Sequence, residues 1–256
     1  MNPDQNTYSN PWLPVHRLGK KVLDPGGKVG SEKLVQHMNI TIKDDVCDWS
    51  PLPGYTTFKV LSENPRSLFL PNLIIRESDK ISPPSWLPKK KPNWHRQPAE
   101  NQTFSKALSV NYLHLLNEQQ VTQVFQKAYR DLKPGALFGL HELSLQSQGA
   151  QAPSAAHLQG ELSQKIHRPV KFRSHHYWLD LLEKTGFRIY FDEQQALQGR
   201  HKPALHQDEG LWGAFRIYSR SLFNQNARER SLALWNFLRK HNQHLCASLI
   251  VGLRQA

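Results

Sequence analysis

The residues best placed to do chemistry are a histidine and a carboxylate side by side, His141-Glu142, near the end of the apolar run 136–145. Imidazole exchanges protons near neutral pH, so His141 is a candidate base for a protonated nucleophile. Glu142 could orient it or bind a cationic amine. The structural alternative is a polar pair closing a strand. The 13 histidines raise the question of a metal. His175-His176 are adjacent, however, and His241 and His244 have no matched cysteine or carboxylate cluster, so no metal site is expected. A serine hydrolase of the elbow type would carry Gly-x-Ser-x-Gly, and none occurs. Lys89-Lys90-Lys91, between Trp86 and Trp94, could neutralise and stack on single-stranded nucleic acid. A solvated loop explains the same residues, as a solvated helix face explains Arg216, Arg220, Arg228, Arg230, Arg239 and Lys240.

These side chains need elements to position them. Asn117 caps an amphipathic helix, with Gln120 at the reciprocal capping position and Val121, Val124, Phe125, Ala128, Tyr129 and Leu132 at helical spacing. Lys133-Pro134-Gly135 stops that helix, and 136–145 reads as a strand. Upstream, Ser31 reads as the cap of a helix with Leu34, Val35 and Met38 on one face. Residues 46–49 then form a short buried strand, followed by a helix over 56–61. After 100, a strand is expected over 104–108. Farther on come helices over 158–166 and after a Ser174 cap, a strand over 187–191, a helix over 227–241 and a last strand over 247–253. Alternation of this kind predicts an α/β sheet with helices on both faces. Residues 1–16 read as a flexible start and 17–256 as a single domain. Within it, residues 65–99 hold seven of the 17 prolines, a density that forbids a continuous helix or central strand. That stretch reads as a surface insertion, a disordered loop or a product of an altered reading frame, with 68–73 as its candidate strand.

With 256 residues, 38% of them hydrophobic, the chain can bury a sizeable core. No apolar run approaches the roughly 18 residues of a membrane span, so no membrane partner is expected. Residues 1–10 lack the apolar stretch of a signal peptide, and two cysteines, Cys47 and Cys246, build no disulfide framework. Both point to the cytoplasm. The formal charge is +12, unevenly spread. Residues 65–99 hold seven basic against two acidic side chains, and residues 200–256 hold nine against three. Elsewhere the signs nearly cancel, with seven against seven over 1–64 and ten against nine over 100–199. A nucleic-acid partner is therefore possible but not favoured.

Several stretches fall in one recognisable order. Leu18-Gly19-Lys20-Lys21-Val22-Leu23-Asp24-Pro25-Gly26-Gly27 precedes Val46-Cys47-Asp48-Trp49-Ser50-Pro51-Leu52-Pro53-Gly54-Tyr55-Thr56-Thr57. The Lys133-Pro134-Gly135 unit comes next, then Trp178-Leu179-Asp180-Leu181-Leu182-Glu183-Lys184-Thr185-Gly186-Phe187, and finally Asp208-Glu209-Gly210-Leu211-Trp212-Gly213. Together they resemble class I S-adenosylmethionine-dependent methyltransferases of the bacterial, small-molecule type, over about four fifths of the chain. The resemblance implies a Rossmann-like sheet, S-adenosylmethionine as cofactor and a small-molecule methyl acceptor. It places Asp48, Ser50, Gly54, Tyr55 and Thr56 in the first cofactor motif, where small residues let backbone amides approach the ligand. It places Glu100, in Ala99-Glu100-Asn101, opposite the adenine amino group.

The chain also departs from that pattern. Leu52 and Pro53 occupy the tight part of the first motif, and proline removes an amide donor. Pro71-Asn72 follow the second strand where the family has a ribose-binding acid, and Ser105 stands where the fourth motif has aspartate. The implied activity is methyl transfer by in-line displacement. Two alternatives remain: a catalytically degenerate methyltransferase fold acting as a binding or scaffold protein, and a basic RNA-binding or RNA-modifying protein. The oligomeric state is not legible.

Overall fold

The computed structural model describes residues 12–73, 94–95, 98–146, 153–197 and 202–255. Helix α1 (Leu13–Arg17) and helix α2 (Gly27–Met38) precede strand β1 (Asp45–Asp48), helix α3 (Tyr55–Ser62) and strand β2 (Ser67–Phe69). Strand β3 (Trp94–His95) and strand β4 (Phe104–Val110) lead through a 3-10 turn (Leu113–Leu115) to helix α4 (Glu118–Asp131) and strand β5 (Leu132–Leu145). Helix α5 (Ala155–Ile166), strand β6 (Arg173–Ser174), helix α6 (His175–Thr185) and strand β7 (Phe187–Ala196) follow. Helix α7 (Lys202–Phe223), helix α8 (Gln225–Lys240) and strand β8 (Leu245–Arg254) complete the chain.

The strands lie in the order β3-β2-β1-β4-β5-β8-β7, with β6 paired to β5 alone. β1 to β5 run parallel, and β8 runs antiparallel to both β5 and β7. The expected α/β sheet with a helix layer on each face is thus present. One layer packs Leu34, Val35 and Met38 of α2 and Val60 of α3 against Val46, Leu108 and Leu249. The other packs Phe125 of α4 and Trp178 of α6 against Phe104, Phe138 and Ile250. A third apolar cluster joins Leu13 and Val15 of α1 to Leu143, Leu162 and Phe237, so α1, which overlaps the end of the expected flexible start 1–16, is a docked helix. Residues 1–11 and most of 74–97 lie outside the described residues. No helix among the described residues is long and apolar enough to cross a membrane.

Local chemistry explains most boundaries. Asn117 and Gln120 form the reciprocal capping box of α4. The Ser174 side chain caps α6, and Gly186 at φ 102 ends it. Helix α4 ends at Asp131, just ahead of Lys133-Pro134-Gly135, and that tripeptide lies inside the strand, which begins at Leu132 rather than at 136. Between Phe104↔Leu132 and Lys106↔Leu137 the register shifts, which absorbs the extra residues as a bulge. Ser31 does not cap α2. The helix begins at Gly27, and Ser31, four residues in, donates to the Gly27 carbonyl and to Asp24.

α2 starts with Gly26 pressed against β5 and β8. A Cβ on Gly26 would fall 2.8 Å from His141 Nε2 and 3.3 Å from Ala247 Cβ, both held by the sheet. Gly26→Ala is therefore expected to cost about 1–3 kcal/mol by overpacking. Gly160, in α5 with open space around it, serves as the control. Gly160→Ala should be neutral or stabilising by up to about 1 kcal/mol. Thermal melts of the two variants would check both; equal melting points would mean that α2 does not bear on His141.

Candidate functional site

Strand β1 is the topological switch point of the sheet, because the chain proceeds to β2 on one side and to β4 on the other. In open α/β sheets the crevice at the carboxyl ends of such strands is where ligands sit. The residues at that crevice are Asp48 at the end of β1, Asn111 just past β4, the turn 49–54 and the N-terminus of α3.

Asp48 is fully buried. Its Oδ1 accepts from the Ser50 amide at 2.9 Å and its Oδ2 from Thr57 Oγ1 at 2.7 Å. Burial raises its pKa from 3.8 to about 6, with the charge of Asp24 adding to the effect. Asp24, outside the sequence-derived set, is the second buried carboxylate. Its Oδ2 accepts from Ser31 Oγ (2.5 Å), Thr56 Oγ1 (2.7 Å) and the Thr56 amide (3.1 Å). Burial pushes its pKa up as well. The other oxygen, Oδ1, lies against Gly54, where a Cβ would come within 3.0 Å. Gly54 has φ −106, so space rather than backbone conformation calls for glycine here.

The turn is tied down on every side. Ser50 Oγ accepts from the Val110 amide, joining the ends of β1 and β4. The Tyr55 hydroxyl donates to Glu32 at 2.7 Å, fixing α3 to α2. Leu52 is packed in the apolar cluster with Leu23, Leu115 and Leu143. Asn111 adopts φ 51, rare for a side chain outside turns, and donates through Nδ2 to the Leu23 carbonyl. Its Oδ1 is buried without a hydrogen-bond partner among the described residues. Asp48, Ser50, Gly54, Tyr55 and Thr56 thus come together, joined by Asp24 and Asn111. Glu100 does not join them. It is exposed in the turn before the amino end of β4 and shares no hydrogen bond with the cluster.

His141 and Glu142 are both fully buried and point to opposite faces of β5, so Glu142 does not orient His141. His141 Nε2 accepts from the Gly26 amide at 2.9 Å, which places the proton of the neutral ring on Nδ1. Burial lowers its pKa to about 4. Glu142 accepts from the Tyr112 and Leu113 amides and from Ser109, with His114 at 3.4 Å, and so shapes the turn after β4. Ser105 donates to the Asp45 carbonyl and accepts from its amide, joining β1 to β4.

A hydrolase-like set of residues also exists. His175 lies 3.0 Å from Ser248 Oγ and 3.3 Å from Asp192. Ser248 is fully buried inside β8 and donates its hydroxyl to Ser144, so it is no accessible nucleophile. Among the described residues, no group of three or more His, Cys, Asp or Glu side chains is arranged to hold a metal ion. Lys89-Lys90-Lys91 and Trp86 lie outside the described residues.

The raised carboxyls generate an expectation. Asp48 binds its proton more tightly in the folded chain than in the unfolded one. It therefore favours the folded state at low pH and loses that contribution as pH rises from about 4 to about 6. The difference corresponds to roughly 3 kcal/mol at full effect. Asp48→Asn, which cannot ionise, is expected to gain stability relative to the parent as pH rises through that window. Denaturant melts between pH about 4 and about 8 would check this; a constant difference would mean that Asp48 titrates normally.

No protein-family model and no curated protein sequence matches the chain. Solved structures do. Phosphoethanolamine N-methyltransferase 2 of Haemonchus contortus, in complex with phosphomonomethylethanolamine and S-adenosylhomocysteine, superposes with a TM-score of 0.64 at 13% identity. The match covers 98% of this chain and 58% of that one. The cyclopropane synthase MmaA2 of Mycobacterium tuberculosis gives 0.59 at 10% identity, over 88% of this chain and 83% of that one. The [4+2]-cyclase SpnF gives 0.61 at 10% identity, over 99% and 94%. Identities this low establish architecture, and with the strand order and the antiparallel β8 they establish it plainly: the chain has the class I S-adenosylmethionine-dependent methyltransferase fold.

Proposed function

We propose that the chain is an S-adenosylmethionine-dependent methyltransferase acting on a small-molecule acceptor in the cytoplasm. One observation carries this reading: two buried carboxylates stand at the switch point of a sheet with this strand order, Asp24 against the close-approach glycine Gly54 and Asp48 at the end of β1. Carboxylates held above their usual pKa by burial gain most from a cation nearby. Asn111 Oδ1, without a hydrogen-bond partner among the described residues, offers an acceptor at the same edge. These features fit a cationic nucleoside cofactor, whereas Pro53 withholds one amide from it.

When bound, S-adenosylmethionine supplies a methyl group already activated for in-line displacement. The work left to the protein is orientation and exclusion of water. In this reading Asp24 and Asp48 would meet the positive charge of the cofactor, and Asn111 would accept a hydrogen bond from it. Ser50, Tyr55 and Thr56 hold the turn through Val110, Glu32 and Asp24. His141 and Glu142 are positioning residues: one seats the start of α2, the other shapes the turn that presents Asn111 and Tyr112. Glu100 stays outside the proposed site.

A second reading is a binding protein or a different catalyst on the same fold. Leu52 and Pro53 favour it, and the cyclase among the structural neighbours carries another chemistry. Calorimetric titration with S-adenosylmethionine near neutral pH separates the two. Saturable heat is expected, and Gly54→Val, whose side chain would enter the gap to Asp24, should weaken binding by about tenfold or more, roughly 1.4 kcal/mol. Absence of heat at millimolar ligand, with the protein folded, gives the second reading the chain.

A further inference from the structure

Helix α7 carries a face that the cofactor site does not explain. Gly210, at φ 71 and ψ 173, breaks the helix into two. The part before it is bound to the body: Glu209 accepts from the Lys21 and Val22 amides at 2.7 and 2.8 Å, and Asp208 pairs with Lys20. The part after it, residues 211–223, touches the body with Ala214 and Ile217, the latter packed with Leu18 and Ala227. At about 100° per residue, the opposite side of that helix carries Leu211, Trp212, Phe215, Tyr218, Leu222 and Phe223. Each is between 63% and 91% exposed. A surface helix ordinarily turns polar side chains outward. This one is apolar on both sides, and its outward patch is on the order of 800 Å², beyond what monomeric soluble proteins usually expose in one piece.

The charge beside the patch says what covers it. Residues 210–230 contain Arg216, Arg220, Arg228 and Arg230 against the single acid Glu229. Arg216 and Arg220 flank the apolar arc at Gly19. Phe223 runs within two residues into the wall of a cleft of about 540 Å³ lined by Lys165, His167, Gln225, Asn226, Glu229 and Arg230, among others. Pairing with a second copy would set these cations against their own equivalents across a two-fold axis. Aromatic and leucine side chains flanked by arginines match the acyl–headgroup boundary of a bilayer with anionic lipids. Thirteen residues of helix span only about 20 Å, too little to cross the hydrocarbon core, so the segment lies in the plane of the surface. Continuous apolar runs, on which the expectation of no membrane partner rests, do not register a face made by helical spacing.

We infer that residues 211–223 form an interfacial helix that docks the protein on an anionic lipid surface. The full chain is tested by co-sedimentation with vesicles of phosphatidylcholine alone and with a quarter of phosphatidylglycerol. Binding is expected on the anionic vesicles, accompanied by a blue shift of tryptophan emission, and should weaken severalfold between about 0.1 and 0.5 M salt. The variant Trp212→Ser/Phe215→Ser/Leu222→Ser alters exposed side chains only, and should keep the parent's melting profile while losing about tenfold or more in vesicle affinity. Arg220→Glu/Arg230→Glu should remove the preference for anionic vesicles. Equal or absent binding on both vesicles overturns the proposal, as does unchanged binding by the triple-serine variant. A dimer that becomes a monomer in that variant without vesicle binding assigns the face to self-association, and binding of single-stranded RNA instead of vesicles assigns it to nucleic acid. Cofactor titration of the same variant is independent of every outcome, so this inference and the methyltransferase reading stand or fall separately.

Discussion

Burying the Asp24 carboxylate is the constraint around which the crevice is organised. A carboxylate withdrawn from water is costly unless donors surround it. Here they come from two places in the chain, Ser31 within α2 and Thr56 in the first turn of α3, while Asp24 itself precedes α2. Satisfying one oxygen therefore fixes the approach of both helices to the β1 turn. The same stretch is held from the other side by α7, where Glu209 takes two consecutive amides of residues 21 and 22. Lys20, buried with Asp208 and Glu209, is the cation that draws down the proton affinity of Asp24. Asp48, buried alongside, is raised in turn by the charge of Asp24. The two acids share one low-dielectric crevice, and any cation admitted there would relieve both.

Strand β5 supports this arrangement from underneath. Successive residues on a strand face opposite layers. His141 consequently meets Gly26 at the start of α2, while Glu142 meets the amides of the turn after β4. Neighbours in sequence thus brace two different walls of the crevice, which reach it from opposite sides of the sheet. A ring held neutral by burial and accepting an amide hydrogen is well suited to such bracing, since it carries no charge to desolvate.

What could be read from sequence follows the range of the interactions. The α4 capping box joins residues three apart, the Ser174 cap does the same, and the Gly186 stop is a single residue, so each was visible as a pattern. The first-motif turn was visible because its residues are contiguous. Asp24 was not, since its partners are seven and 32 residues away and nothing in Asp-Pro-Gly-Gly distinguishes a buried carboxylate from a turn aspartate. Asn111 gave no signal either, because its strained φ and its orphaned oxygen depend on where β4 ends against β5. Ser31 misled for a related reason: it has the right type for a cap, but two consecutive glycines let the helix start a turn earlier, and the hydroxyl was recruited by Asp24. Helix α7 gives no single sequence signal, because Gly210 breaks it and divides its spacing between two helical stretches.

Position relative to the strand ends, more than residue type, separates functional chemistry from structural polarity in this fold. Ser248, His175 and Asp192 have the types and nearly the distances of a nucleophilic triad, yet Ser248 lies in the interior of β8, pinned to Ser144, where no substrate atom can approach. Ser50 has the same hydroxyl, but it stands two residues past the β1–β4 pairing and locks the turn on which a ligand would rest. Two acids differ in the same way. Glu142 is surrounded by amide donors inside the wall, whereas Asp24 gives all its donors to one oxygen and turns the other toward Gly54. Glu142 is thereby spent wholly on the fold, whereas Asp24 commits one oxygen to the two helices and sets the other against the glycine of the β1 turn.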